Sequence, residues 1–136
     1  CAGALARLGA IARAARRAGA AVHTAAMAIA HAQPGQPVDV SPLGARLADE
    51  KTYALFKSDQ LEVIRLVLQL GKSLPPHKVA GEITIHCLEG RIEVGADALR
   101  HVMGPGQLLY LGAGVMHDVK ALTDASALVT IVLHPA

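Results

Sequence analysis

The sequence predicts an all-β domain, an antiparallel barrel or sandwich, preceded by a segment of different character. From about residue 52 onward, short alternating or apolar runs recur at close spacing with Gly or Pro between them, a pattern typical of antiparallel β folds. Ala and Arg dominate the first 32 residues instead; they favour helix but build no deep apolar stripe. At 136 residues and 52% hydrophobic composition, one core is expected.

A Gln-Pro-Gly-Gln-Pro run at residues 33–37 divides these two parts. We predict an N-terminal segment of residues 1–32, helical or disordered, and a single domain of residues 33–136. The first residue is Cys1, which leaves three interpretations of the segment open. It is a lipid-modified terminus, an Arg-rich targeting leader, or read-through ahead of a true start near Val22 or Met27.

Charge and composition exclude some partners. The formal charge is +2, but four Arg residues precede residue 22, and the nine remaining cations and eleven acids leave −2. The domain is therefore not expected to have a large positive surface that would attract a polyanion. Its three aromatic residues also offer few side chains on which bases could stack, so nucleic acid is not a predicted partner. Polar residues interrupt the Ala-rich stretch, so no membrane span is predicted. The cysteines, Cys1 and Cys87, do not form a disulfide framework, which favours the cytoplasm.

Period-two alternation predicts the central strands. Residues 61–70 place Ile64, Leu66, Leu68 and Leu70 on one face, opposite Val63, Arg65, Val67 and Gln69. Either face of this strand is consistent with the barrel interior. Gly71 and the Pro75, Pro76 pair are expected to end it. In residues 81–89 the dry face carries Ile83, Ile85 and Cys87, and the polar face carries Glu82, Thr84 and His86.

Flanking patterns predict the remaining elements. Residues 41–51 are expected to form a short helix or turn, and residues 52–57 a strand. A hairpin is predicted from residues 91–94 and 98–102 around Gly95, Ala96 and Asp97. Further strands are predicted at 107–111, 117–121 and 127–133.

Two stretches resemble the paired motifs of the cupin family. Gly71, His77 and Gly90 match the first motif, and Gly106, Gly114 and His117 match the second. Gly112 stands at the Pro position of the second motif and Ala121 at its Asn position. Fifteen residues separate the motifs, as in small cupins. The resemblance covers about residues 60–133 and implies a double-stranded β-helix, a jelly-roll barrel.

The resemblance also implies a metal site. Cupins hold one divalent ion of Fe, Mn, Ni, Cu or Zn through two His and one Glu of the first motif and one His of the second. His77 and His117 are therefore the implied metal ligands, while Val79 and Ile83 replace the other His and the Glu. Because two ligands are missing, the metal is either retained on the pair or absent.

Strand parity limits the substitutes for the missing ligands. Glu82 and His86 are predicted to point away from the pocket, and Cys87 shares the face of Ile83. Glu82 would reach the interior only through a bulge. Tyr110 and Met116 are expected either at the pocket rim or in the core.

Two functions follow from the resemblance. One is a cupin with a barrel pocket for a small organic ligand and a divalent metal at His77 and His117. The alternative is a cupin without metal that binds or senses a small molecule and does no catalysis. No catalytic residue is identified. We also predict a homodimer, because small cupins usually pair and open jelly rolls have edge strands to cover. Its candidate surface is the face with Glu82, Thr84 and His86.

Overall fold

The computed structural model describes residues 31–133, so the predicted helical or disordered segment lies almost wholly outside the described residues. Within that range the chain is nearly all β, with one 3₁₀ helix at Gly44–Asp49. The strands are β1 (Tyr53–Lys57), β2 (Leu61–Leu68), β3 (Ser73–His77), β4 (Ile83–Glu89), β5 (Ile92–Ala96), β6 (Leu99–Met103), β7 (Leu108–Leu111), β8 (His117–Ala121) and β9 (Ala125–Val132).

Two antiparallel sheets form a jelly-roll barrel. Sheet A has the order β1-β2-β9-β4-β7, and sheet B has the order β3-β8-β5-β6. The apolar faces of both sheets meet in one core, which the alternation in β4 predicts correctly: Ile83, Ile85 and Cys87 are all at most 4% exposed. The predicted all-β jelly-roll fold is therefore confirmed.

Both faces of β2 are buried, which is why its alternation could not orient it. Ile64, Leu66 and Leu68 enter the barrel core, whereas Val67 packs outside sheet A against Leu43 and Leu47 beside the 3₁₀ helix. Of the two orientations that the sequence left open, the structure shows the one in which Arg65 and Gln69 point away from the barrel interior. Gln69 donates hydrogen bonds to the carbonyls of Leu47 and Glu50. The chain before β1 thus covers one end of sheet A.

A bulge in β4 brings Glu89 to that same outer face. The pairing with β9 shifts between Cys87 and Glu89, so Glu89 lies opposite Ser126 rather than in the core. Its carboxylate accepts hydrogen bonds from Arg65 at 2.9 Å and from the amides of Leu43 and Gly44 at 2.9 and 3.1 Å. Arg65 is 1% exposed. This pair therefore anchors the chain before β1 to the barrel.

Three details of local structure differ from the sequence expectation. Pro75 and Pro76 do follow the end of β2, but they lie within a further strand, β3, because β3 is an edge strand where a missing N–H breaks no ladder. The β5–β6 turn is Asp97-Ala98, with φ of 50° and 64°, and Gly95 is inside β5. β2 also ends at Leu68, two residues earlier than predicted.

The motif glycines behave as turn residues. Gly71, Gly90, Gly106 and Gly114 all have φ between 75° and 88°, a region that favours glycine. At Gly90 a Cβ would also collide with the backbone of Asp124 and Ala125, so no other residue fits without moving the chain. No helix among residues 31–133 is long and apolar enough to cross a membrane.

Candidate functional site: a histidine pair at the end of the barrel

His77 and His117 are cross-strand neighbours. His77 ends β3, His117 begins β8, and the two residues lie directly opposite each other in the β3–β8 register. Directly opposed side chains on one face of a sheet are close enough to touch. The ring centroids are 4.3 Å apart, with the ring planes tilted by 58°. The structure thus brings together the two residues that the motifs single out.

The backbone fixes the tautomer of both rings. Nδ1 of His77 lies 2.8 Å from the carbonyl oxygen of Pro75, and Nδ1 of His117 lies 2.9 Å from that of Val115. A carbonyl can only accept, so Nδ1 of each ring carries a proton, and in the neutral ring the free lone pair is on Nε2. Such a hydrogen bond on the second ring nitrogen is typical of histidines that bind metals.

The pair closes one side of a small apolar cavity between the sheets. Nε2 of His77 is buried and has no hydrogen-bond partner among the described residues. The other lining residues are Ile64, Leu66, Leu74, Val79, Ile83, Ile85, Val119, Val129 and Ile131. The cavity volume is about 20 Å³, which is room for about one water molecule or ion. The histidines are therefore the polar end of a hydrophobic cavity.

The environment of His117 favours its neutral form. Burial lowers its pKa from the usual 6.5, and nearby His77 lowers it further, although the hydrogen bond to Val115 opposes the shift. A neutral imidazole has a lone pair to offer, so this shift favours a ligand that accepts electrons over one that needs a donated proton.

The two rings are close neighbours, with their centroids 4.3 Å apart, which is near enough for both to reach one ion. No group of three or more His, Cys, Asp or Glu side chains within residues 31–133 is placed to hold a metal. The pair therefore offers two imidazole nitrogens without a third ligating side chain of these types beside them in the described part of the chain.

Val79 and Ile83 occupy the cavity wall at the positions of the missing ligands. Glu82 is exposed and accepts a 2.8 Å hydrogen bond from Tyr110 on the outer face of sheet A. No bulge redirects it, and His86 lies half-buried on that same outer face. As parity predicts, neither residue joins the site. Cys87 is fully buried in the core below it.

Two expectations about the rim were wrong. Tyr110 is 59% exposed and Met116 is 50% exposed, and neither residue lines the cavity or fills the core. Leu74 lines the cavity although sequence reasoning did not identify it, because the prolines after it hid strand β3. Alternation could not have found it, because a register shift between Leu74 and His77 lets both residues line the cavity although they are three positions apart.

Comparisons with known proteins agree with this architecture. The family described as "Cupin domain" matches residues 64–134, which is just over half of the chain. A search of curated proteins found no match.

Solved structures with the same fold come from several bacteria. An RmlC-like cupin from Desulfovibrio desulfuricans is 25% identical, with a TM-score of 0.61 over 71% of this chain and 96% of that one. A conserved protein of unknown function from Streptococcus pyogenes is 19% identical, with a TM-score of 0.62 over 79% and 95% of the two chains. A cupin superfamily protein from Desulfitobacterium hafniense is 18% identical, with a TM-score of 0.59 over 61% and 76%.

Proposed function

Because the chain belongs to the cupin family, we propose that His77 and His117 bind one divalent first-row metal ion at the end of the barrel, with positions left open for a small ligand. The observation that carries this proposal is the close contact of the two rings together with their backbone hydrogen bonds. Both Nδ1 atoms donate to backbone carbonyls, which leaves Nε2 as the nitrogen of each ring that can bind a metal, and the ring centroids are 4.3 Å apart. The buried, unpartnered Nε2 of His77 is the atom that an ion would satisfy.

The donor set restricts which ions suit the site. Neutral imidazole favours Zn, Cu, Fe or Ni over Mg and Ca, which prefer oxygen ligands. With two protein ligands instead of the usual three, binding should be weaker than in complete catalytic sites. A bound ion would act as a Lewis acid on a small ligand in its open positions.

Metal titration of the full chain, produced without a histidine tag, tests the proposal. Isothermal titration with Zn²⁺ or Ni²⁺ should give one equivalent in the micromolar range, and both His77→Ala and His117→Ala should abolish that binding. His101→Ala is the matched control, because His101 is exposed on β6 away from the pair. Binding that survives in both pair variants, or no stoichiometric binding at all, would refute the proposal.

A second candidate function is a cupin that binds a small neutral molecule without metal. The observation that favours it is the apolar wall at Val79 and Ile83, which leaves only the two Nε2 acceptors as polar groups. With a volume of about 20 Å³ the cavity must enlarge to take anything beyond a few atoms. A thermal-shift screen distinguishes the candidates: stabilisation by neutral hydrogen-bond donors but not by metals supports this one.

The homodimer remains a prediction. Its candidate surface, the outer face of sheet A, carries Leu108 at 65% exposure and Tyr110 at 59% beside Glu82, Thr84 and His86. Exposed apolar side chains on an edge strand such as β7 are typical of a surface that is buried against another chain. Light scattering at low micromolar concentration should show a dimer, and Tyr110→Arg should shift it to monomer; a monomeric wild type would contradict the prediction.

A further inference from the structure

A second concavity lies outside the barrel, around the β5–β6 turn at the end of sheet B. Its volume is about 440 Å³, far larger than the barrel cavity. Sites for small organic molecules are about 300–1,000 Å³, so this groove has the size that the barrel interior lacks. Its lining runs from the end of β5 through the turn to the start of β6, and it also includes Pro76, Met116, His117 and Asp118.

An ion pair forms the floor of the groove. Arg100 of β6 crosses over β5 and makes a two-pronged pair with Asp118 of β8, at 3.2 and 2.8 Å. The crossing depends on Gly95, which lies opposite both residues in the register. A Cβ at Gly95 would collide with Nη1 of Arg100 and Oδ1 of Asp118. The missing side chain therefore leaves a flat, polar floor.

The rim is apolar and exposed. Leu99 is 61% exposed and Met116 is 50% exposed, and both line the groove together with Pro76. Large apolar side chains held in water around a concavity are typical of a ligand site rather than of ordinary surface. A ligand with a hydrocarbon part would gain by covering them.

The unmatched charge in the groove is negative. The guanidinium of Arg100 is occupied by Asp118 and also by Glu93, whose carboxylate lies 3.3 Å from Nε. Asp97, at the tip of the turn, makes no hydrogen bond or ion pair within residues 31–133. An anionic ligand would meet carboxylates around a cation that is already paired, whereas a cation would find Asp97 available.

We propose that this groove binds a small organic cation, with an ammonium group at Asp97 and a short alkyl chain along Leu99 and Met116. Gly95 and the Arg100–Asp118 pair form the floor, which limits how deeply the ligand can enter the groove. This site adjoins the histidine pair, because His117 lines both the groove and the barrel cavity, but the ammonium position at Asp97 lies in the β5–β6 turn and involves neither ring.

Nuclear magnetic resonance titration of the ¹⁵N-labelled full chain tests the proposal with three matched probes: hexylammonium, hexanol and hexanoate. Hexylammonium should give saturable shifts, confined to the amides of residues 95–100 and 116–118, in the millimolar range. Asp97→Asn should weaken its binding about fivefold, as expected for an exposed ion pair. Asn tolerates positive φ as Asp does, so this variant keeps the turn.

Asp59→Asn, in the exposed loop between β1 and β2, is the charge-matched control and should leave binding unchanged. Leu99→Asn should also weaken hexylammonium binding, because it removes part of the apolar rim. Three results would overturn the proposal: binding of hexanoate or hexanol as tight as that of hexylammonium, no effect of Asp97→Asn, or no saturable shift in this groove.

Discussion

Restoring the two missing cupin ligands should convert the apolar cavity wall into a complete metal site. Val79 and Ile83 line the same small cavity as the histidine pair, and both are at most 4% exposed. The double substitution Val79→His and Ile83→Glu therefore places an imidazole and a carboxylate beside His77 and His117. The positions follow from the motif register, and the structure confirms that both face the cavity.

Without metal, the double variant should be much less stable than the wild type. Ile83→Glu removes a buried apolar side chain and adds an uncompensated carboxyl to an apolar cavity. We expect a loss of about 3–5 kcal/mol in the free energy of unfolding. The cavity of about 20 Å³ has room for about one water molecule, which is too little to solvate the new carboxylate.

Metal should reverse much of that loss. A ligand present at one hundred times its dissociation constant stabilises the folded state by about 2.7 kcal/mol. Urea unfolding with chelator and with Zn²⁺ or Mn²⁺ measures both quantities. Ile85→Glu is the matched control, because Ile85 lines the same cavity on the same strand outside the ligand positions. The reasoning is refuted if the metal-free variant is as stable as the wild type, or if metal rescues both variants equally.

Three further predictions concern stability. Glu89→Gln leaves the charge of buried Arg65 uncompensated and should lower the free energy of unfolding in urea by about 3–5 kcal/mol. Glu93→Gln, in a surface pair, is the control and should lower it by less than about 1 kcal/mol. Equal effects would contradict the anchoring role of Glu89. Ala98→Gly removes the backbone strain of a non-glycine residue at φ 64° and should stabilise the fold by about 0.5–1 kcal/mol. Ala80→Gly is the control, and a loss of stability in Ala98→Gly would contradict the turn geometry. Because the folded-state pKa of His117 is lowered, the unfolded chain binds a proton that the folded chain does not. Stability in chelator should therefore be full above pH 6.5 and decline as the pH falls below it. In a series of melting temperatures against pH, His117→Gln should flatten that decline, and an unchanged slope would refute the shift in pKa.

The barrel itself could be predicted from the sequence because its strands alternate in period two. In β4, parity alone places Ile83 and Cys87 inside and Glu82 and His86 outside, as the structure does. β2 could not be oriented that way, since both of its faces carry apolar residues and both are buried. The sequence left the orientation of Arg65 open, and the structure places it on the outer face, where it donates a hydrogen bond to the carbonyl of Ser41 in the chain before β1.

The parts that sequence reasoning missed depend on irregular backbone. Glu89 reaches Arg65 only because of a bulge after Cys87, and a bulge leaves no mark in the alternation. Strand β3 was hidden by Pro75 and Pro76, which are tolerated only at a sheet edge. The β5–β6 turn was misplaced because Gly95 suggested a bend, whereas its missing side chain makes room for Arg100.

The histidine pair was identifiable from motif spacing, but its chemistry was not. Spacing gives residue type and strand, whereas the tautomers depend on the carbonyls of Pro75 and Val115, two residues before each histidine. The size of the cavity likewise depends on how closely both sheets pack. These are properties of three-dimensional packing, and they decide between an ion and a larger ligand.

The most direct test of the central claim is a long-range ¹H–¹⁵N spectrum of the histidine side chains, recorded before and after one equivalent of Zn²⁺. The account predicts that His77 and His117 both carry the proton on Nδ1 without metal. It also predicts that Zn²⁺ shifts the Nε2 resonances of these two residues and leaves His86 and His101 unchanged. A proton on Nε2 of either ring, or a zinc response located at other histidines, would contradict it.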